Sequence, residues 1–203
     1  MPFKKLNPEI QEKLEYLEIT TPTSLQTKSI PAIKSGANVY CLGPEGSGKT
    51  TTLILTTLHK LKFKPVGSSP RALVLVENNE KALEVYNEFF KYTQYKDIRV
   101  YLADEKTHID TQKSEIFEGV DILVSTLPRM SKLMRSNGIS MSQLSVMSID
   151  DAEFLKNNES YSTLLWITQS INKCQFVLYA KEMTPILKKL ESYFMEYSRV
   201  ISE

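Results

Sequence analysis

The run Gly43-Pro44-Glu45-Gly46-Ser47-Gly48-Lys49-Thr50 places glycines, a lysine and a hydroxyl at the spacing of a phosphate-binding loop. Glycines let such a loop fold tightly, so that successive backbone N–H groups converge on phosphate oxygens. A helix starting near Lys49 adds the positive end of its dipole. In that setting residues Glu45, Gly46, Ser47 and Gly48 cradle the phosphates, Lys49 reaches the β- and γ-phosphates, and the Thr50 hydroxyl ligates Mg²⁺. The competing reading, a Gly/Ser-rich surface turn, needs all of these residues to coincide by chance.

Such a loop needs a second acidic group, at the end of a neighbouring strand, to hold the metal through its water shell. The strand-like run Ser145-Val146-Met147-Ser148-Ile149 ends in Asp150-Asp151-Ala152-Glu153. Carboxylates at the carboxyl end of a strand sit where open α/β sheets bind ligands. Asp150 is therefore the candidate Mg²⁺ partner, and Asp151 the candidate base for polarising an attacking water. The alternative is an acidic cap and first turn of the next helix, which aspartate favours without any chemistry.

These residues need a scaffold, and the hydrophobic pattern supplies one. Apolar runs at Val39–Leu42, Arg71–Val76, Ile98–Ala103, Asp121–Ser125, Val146–Ile149, Gln175–Ala180 and Arg199–Ile201 are nearly continuous, as in strands covered on both faces. Helix-like stretches lie between them, at Thr51–Leu61, Asn79–Tyr92, Leu127–Arg135, Tyr161–Asn172 and Thr184–Tyr197, and two helices are expected before the first strand. The alternation predicts an α/β fold with a mostly parallel sheet sandwiched by helices. Lys62–Pro70 is the clearest loop, and no internal repeat is visible.

Composition narrows the function classes. With 203 residues, 41% hydrophobic and 24% charged, the chain fits one globular domain with a real core. A net charge of +1 permits nucleic-acid binding through a local patch but does not argue for it. Cys41 and Cys174 lie in apolar strand-like runs with no metal-ligand spacing, so both read as buried reduced thiols. His59 and His108 are isolated. The N-terminus has no apolar stretch behind its lysines and no segment approaches membrane-spanning length, so a cytoplasmic protein is expected.

The order of motifs resembles the first RecA-like domain of the DEAD-box RNA helicases, over essentially the whole chain, residues 1–203. Ile19-Thr20-Thr21-Pro22-Thr23-Ser24-Leu25-Gln26 is similar to the family's Q motif, with Ile30-Pro31-Ala32-Ile33 following and Phe3 as the isolated upstream aromatic. The resemblance implies a helical Q-motif region over residues 1–35 and a phosphate-loop core over 36–203. It implies that Gln26 reads adenine while Phe3 packs on the base, which makes the ligand ATP with Mg²⁺. Ser125-Thr126-Leu127-Pro128-Arg129 is similar to an RNA-contacting motif, which implies that Thr126 and Arg129 touch a nucleic-acid backbone. Asp150-Asp151-Ala152-Glu153 occupies the place of the tetrad that names the family.

The departures are concentrated in motifs for RNA contact and coupling. The family's PTRELA motif aligns with Glu77-Asn78-Asn79-Glu80-Lys81-Ala82, its GG doublet with Leu102-Ala103-Asp104, and its SAT motif with Tyr179-Ala180-Lys181. The chain ends at Glu203, where the second helicase domain is expected to begin. Asp151 is one methylene shorter than the family's glutamate, and a misplacement of about 1 Å can cost about 100-fold in rate. In the family that second domain supplies the arginine fingers, and a missing arginine finger costs about 10³–10⁵-fold. Each lost phosphate contact flattens the salt dependence of single-strand binding by about 0.7. The expectation is an ATP-binding helicase-like domain with weak affinity for RNA or another single strand and weak or conditional ATPase activity. Its alternative is a catalytically inactive relative that binds nucleotide and a protein partner.

Overall fold

The computed structural model describes residues 3–203. Seven strands form one sheet: β1 Val39–Leu42, β2 Ala72–Val76, β3 Val100–Ala103, β4 Ile122–Thr126, β5 Val146–Ile149, β6 Gln175–Ala180 and β7 Arg199–Ser202. Their spatial order is β3-β4-β2-β5-β6-β1-β7, and every pairing is parallel. All residues of β1, β2, β4, β5 and β6 are buried, which explains why their sequences read as unbroken apolar runs. The last strand is a solvated edge.

The helices among the described residues are α1 Pro8–Tyr16, α2 Ser24–Lys34, α3 Lys49–Leu61, α4 Asn79–Thr93, α5 Ile109–Glu118, α6 Leu127–Arg135, α7 Asn158–Gln169 and α8 Pro185–Lys189. They leave two apolar clusters, one on each face of the sheet. Ile10, Ile30, Leu53, Leu58, Val85 and Phe89 belong to one, and Met130, Leu133, Leu155, Leu164, Ile167 and Leu187 to the other. The N-terminal helices share the first cluster with α3 and β1, so residues 3–35 pack into the same core as the rest.

One helix is unanticipated and two expectations are corrected. Ile109–Glu118 is a helix that the apolar pattern does not announce, because one of its two buried side chains is the polar Gln112. The predicted helix Thr184–Tyr197 is α8 followed by a 3-10 turn, Leu190–Ser192, and then irregular chain. Cys174 is half-buried and precedes β6, whereas Cys41 lies within β1 and is buried as expected; both thiols are free.

The topology decides where a ligand sits. The chain leaves β1, crosses over β6 and β5, and enters β2 on the far side. The carboxyl ends of β1, β6, β5 and β2 therefore stand side by side, with the Gly43–Thr50 loop after β1 and Asp150 after β5. Ligands bind at such crossover points in open α/β sheets.

Candidate nucleotide site

Gly46 and Gly48 hold φ of +80° and +87°, conformations that disfavour any side chain. Gly48 has a second constraint, since a Cβ there would lie 2.6 Å from Gln26 Nε2. The loop feeds directly into α3, whose first residue is Lys49, so the first-turn N–H groups open toward it. Lys49 is 6% exposed and its ammonium donates to the carbonyls of Gly43 and Pro44, each at 2.8 Å. Ser47 Oγ donates to Pro44 O at 2.7 Å.

The two candidate metal groups meet as expected: Thr50 Oγ1 donates to Asp150 Oδ2 at 2.8 Å. Asp150 is fully buried and its other carboxylate oxygen, Oδ1, has no hydrogen-bond partner among the described residues. Burial, and then the nearby Asp151 carboxylate, push the Asp150 carboxyl up to about 6 against the pull of Thr50, Lys81 and Lys49. An orphaned, buried carboxylate oxygen beside a threonine hydroxyl fits a site built for a hydrated divalent cation. Among the described residues no cluster of three or more His, Cys, Asp or Glu could hold a metal alone.

Asp151 follows with φ +49° and carries an exposed carboxylate. It is not free: Lys81, in the first turn of α4, places its ammonium 3.3 Å from Asp151 Oδ2 and 3.3 Å from Glu84 Oε1. In the sequence Lys81 stands only as part of an altered motif, and its position shortly after β2 points to the site only once β2 is known to pair with β5. Gly46, Lys49, Thr50, Lys81, Asp151 and Lys181 line one cavity of about 390 Å³. A larger one, about 730 Å³, is bounded by Pro70 and Ser140, just ahead of β2 and β5, and so opens at the opposite, amino end of the sheet.

Gln26 is 3% exposed and braces the loop rather than projecting from its helix. Its side chain and Thr23 form a reciprocal cap on α2: the Thr23 N–H donates to Gln26 Oε1 at 2.9 Å and the Gln26 N–H to Thr23 Oγ1 at 3.1 Å. Thr23 Oγ1 donates to Ser47 O at 2.7 Å, and Gln26 Nε2 reaches Gly48 O at 3.5 Å. One Oε1 lone pair and one N–H of Gln26 stay uncommitted. Phe3 is buried and lines a separate cleft of about 160 Å³ with Ile19, Thr20 and Pro22, so the structure does not bring it into the phosphate cavity.

Thr126 and Arg129 are also inside. Thr126 caps α6 through the Arg129 N–H at 3.3 Å and donates to Glu105 Oε1 at 3.2 Å. Arg129, 4% exposed, donates through Nε to Gln112 Oε1 at 2.7 Å and through a terminal nitrogen to Thr107 O. It ties the segment between β3 and α5 to α6. It is buried, not a solvated surface charge. Asn79 Oδ1 accepts from Glu105 N–H at 3.4 Å, and the Lys181 N–H donates to Glu153 Oε1.

Comparison with known proteins agrees with this geometry. The family profile described as DEAD/DEAH box helicase matches residues 23–181. ATP-dependent RNA helicase dbp9 of Botryotinia fuckeliana is 28% identical over 187 residues, covering 89% of this chain and 31% of that protein. ATP-dependent RNA helicase RhlB of Pectobacterium carotovorum is 25% identical over 167 residues, covering 80% of this chain and 39% of its own length. The chain thus spans well under half of these relatives. A crystal structure of a DEAD box protein from the hyperthermophile Methanococcus jannaschii superposes with a TM-score of 0.88 at 19% identity, over 98% of this chain and 54% of that one. It shares the fold.

Proposed function

Since this chain belongs to the DEAD/DEAH box helicase family, we propose that it is an ATP-binding RecA-like domain that holds Mg·ATP between the Gly43–Thr50 loop and Asp150. The observation that carries this reading is the Thr50–Asp150 hydrogen bond with its unpartnered Asp150 oxygen. Lys49 is the phosphate-binding cation, exchanging its loop carbonyls for phosphate oxygens. Bound Mg²⁺ would neutralise charge on the β- and γ-phosphates. Gln26 contributes to the adenine site by holding Gly48 in place while its cap partner Thr23 holds Ser47, with its remaining lone pair and N–H available to the base edge. Phe3 lines the cleft beside Ile19 and Pro22 of the Q-motif segment.

Hydrolysis is slow in this reading. Asp151 is shorter than the family's glutamate and its carboxylate is engaged by Lys81, so it is a poor base for water. RNA binding is weak, because Arg129 is spent on Gln112 and Thr107 rather than offered to phosphates. The same observations favour a second reading, a non-catalytic relative that uses nucleotide as a structural ligand and binds a protein partner.

Calorimetry with Mg·ATP and Mg·GTP, followed by turnover assays with and without RNA, tests both. ATP binding above GTP supports the site. RNA-stimulated turnover above a Lys49→Ala background removes the non-catalytic reading, and failure to bind either nucleotide removes the site itself.

A further inference from the structure

We propose that Lys81 is a nucleotide-binding residue of this chain, which exchanges Asp151 for the terminal phosphate and so selects a nucleoside triphosphate over a diphosphate. The inference rests on the nucleotide reading above and extends it to a residue outside the phosphate-binding loop.

Lys81 lines the same cavity as Lys49 and Thr50, from a different strand–helix junction. Its helix starts just past β2, and β2 pairs directly with β5, so the side chain emerges beside Asp150 and Asp151. Its ammonium has three donors. They meet Asp151 and Glu84 at 3.3 Å each, longer than the 2.7–2.9 Å typical of a tight charge-assisted bond. The cation is held loosely in the cavity and can be taken over by a stronger acceptor. Burial favours its neutral form, but Asp150, Asp151 and Glu84 outweigh that and hold its pKa above the ordinary lysine value. It therefore meets a ligand as a full positive charge.

Other lysine pairs of this chain behave differently. Lys91–Glu88 and Lys113–Asp110 are three-residue-spaced pairs on exposed helix faces, of a kind that contributes little. Lys81 adds to such a pair a second carboxylate, from the segment that follows the neighbouring strand β5. It also sets the sign of the cavity wall. Without Lys81, the Asp151 carboxylate would face an incoming phosphate unneutralised. With it, a triphosphate gains a cation that reaches the end of the chain of phosphates, and a diphosphate has no group there to use it.

The test is a calorimetric titration of the 203-residue chain and its variants with Mg·ATP and Mg·ADP. Lys81→Met keeps the stem and removes the charge. We expect it to weaken Mg·ATP about tenfold, or about 1.4 kcal/mol, and Mg·ADP less than about twofold. Asp151→Asn releases Lys81 and tightens Mg·ATP relative to the parent, whereas the Lys81→Met/Asp151→Asn double variant, which lacks both charges, binds Mg·ATP no tighter than the parent. A merely structural Lys81 would shift both nucleotides together, leaving the ATP:ADP ratio unchanged, and that result overturns the proposal. So does an Asp151→Asn variant whose ratio matches the parent, which keeps the question open to refutation if Lys81→Met does not fold. Parent protein that binds neither nucleotide overturns the nucleotide site as a whole, whereas a preserved ratio on top of normal ATP binding overturns the role of Lys81 alone.

Discussion

The Thr50 hydroxyl donates to Asp150 Oδ2 across 2.8 Å, joining the start of α3 to the end of β5 over a sequence separation of 100 residues. The pair orients the carboxylate and leaves Oδ1 buried without a partner. Asp150→Asn should therefore remove the Mg²⁺ dependence of ATP binding. Loss of such a group typically costs about 10–100-fold in metal-dependent affinity. The check is ATP affinity with Mg²⁺ and with EDTA; a variant that keeps the parent's Mg²⁺ response places the metal elsewhere. Without nucleotide the same variant should melt no lower than the parent, since it removes a buried charge whose desolvation outweighs the pull of Thr50, Lys81 and Lys49.

Gly48 and Gln26 are coupled by contact. Gly48→Ala must bear both a φ of +87° and a Cβ lying 2.6 Å from Gln26 Nε2. We expect a loss of about 1–3 kcal/mol in stability and a larger loss of ATP affinity, because the loop cannot hold its shape. Gln26→Ala removes the neighbour and half of the cap on α2, costing about 0.5–2 kcal/mol. Combining the two should cost less than their sum, because the clash is gone. Thermal melts of the four proteins measure this; strict additivity would mean that the loop and Gln26 do not interact.

What the sequence made legible, and what it did not, follows from the physics of burial. Residues in β1, β5 and β6 are covered on both faces, so Val39–Leu42, Val146–Ile149 and Gln175–Ala180 stand out with correct bounds. Gly43–Thr50 and Asp150 are legible because their chemistry tolerates few substitutes. Helix α5 was not, because Gln112 takes the core position where an apolar residue would have signalled it, and it does so to accept from Arg129. The same pair explains Arg129: its partners come from two other segments, and nothing local distinguishes a buried arginine from a solvated one. The apolar spacing of Leu187, Leu190 and Met195 mimics a helix, yet the chain turns after Ser192 and delivers Met195 to the core by another route. Lys81 is legible only once β2 and β5 are known to be neighbours.

Arg129 makes a prediction that separates fold from nucleic-acid contact. Arg129→Ala strands Gln112 Oε1 and Thr107 O and should destabilise the protein by about 1.5–3 kcal/mol, the usual cost of losing hydrogen bonds to a charged group. The melting temperature should fall by about 3–12 °C at 2–4 °C per kcal/mol. Binding to a single-stranded RNA, measured well below that temperature, should keep its salt slope. A slope flattened by about 0.7 with an unchanged melting temperature would instead make Arg129 a phosphate contact.

Asp121 sets the response to acid. Its carboxylate is fully buried at the start of β4, accepting from Arg71 at 2.8 Å, from Arg99 Nε at 2.8 Å, and from the backbone N–H groups of Val66 and Arg99 at 3.0 Å. Burial alone would raise its pKa, but Arg99, Val66 and Arg71 outweigh it and hold the carboxyl below the ordinary aspartate value. The folded pKa thus lies below the unfolded one, near 3.9. The stabilisation is present above about pH 4 and is lost as pH falls through the depressed folded value. Asp121→Asn should cost about 3 kcal/mol at pH 7, the low end for a broken buried pair because both guanidinium groups keep some solvent. Its stability should also fall less steeply than the parent's as pH drops below about 4. Urea melts across that range provide the measurement, and parallel pH profiles for the two proteins would show that Asp121 is not the group being protonated.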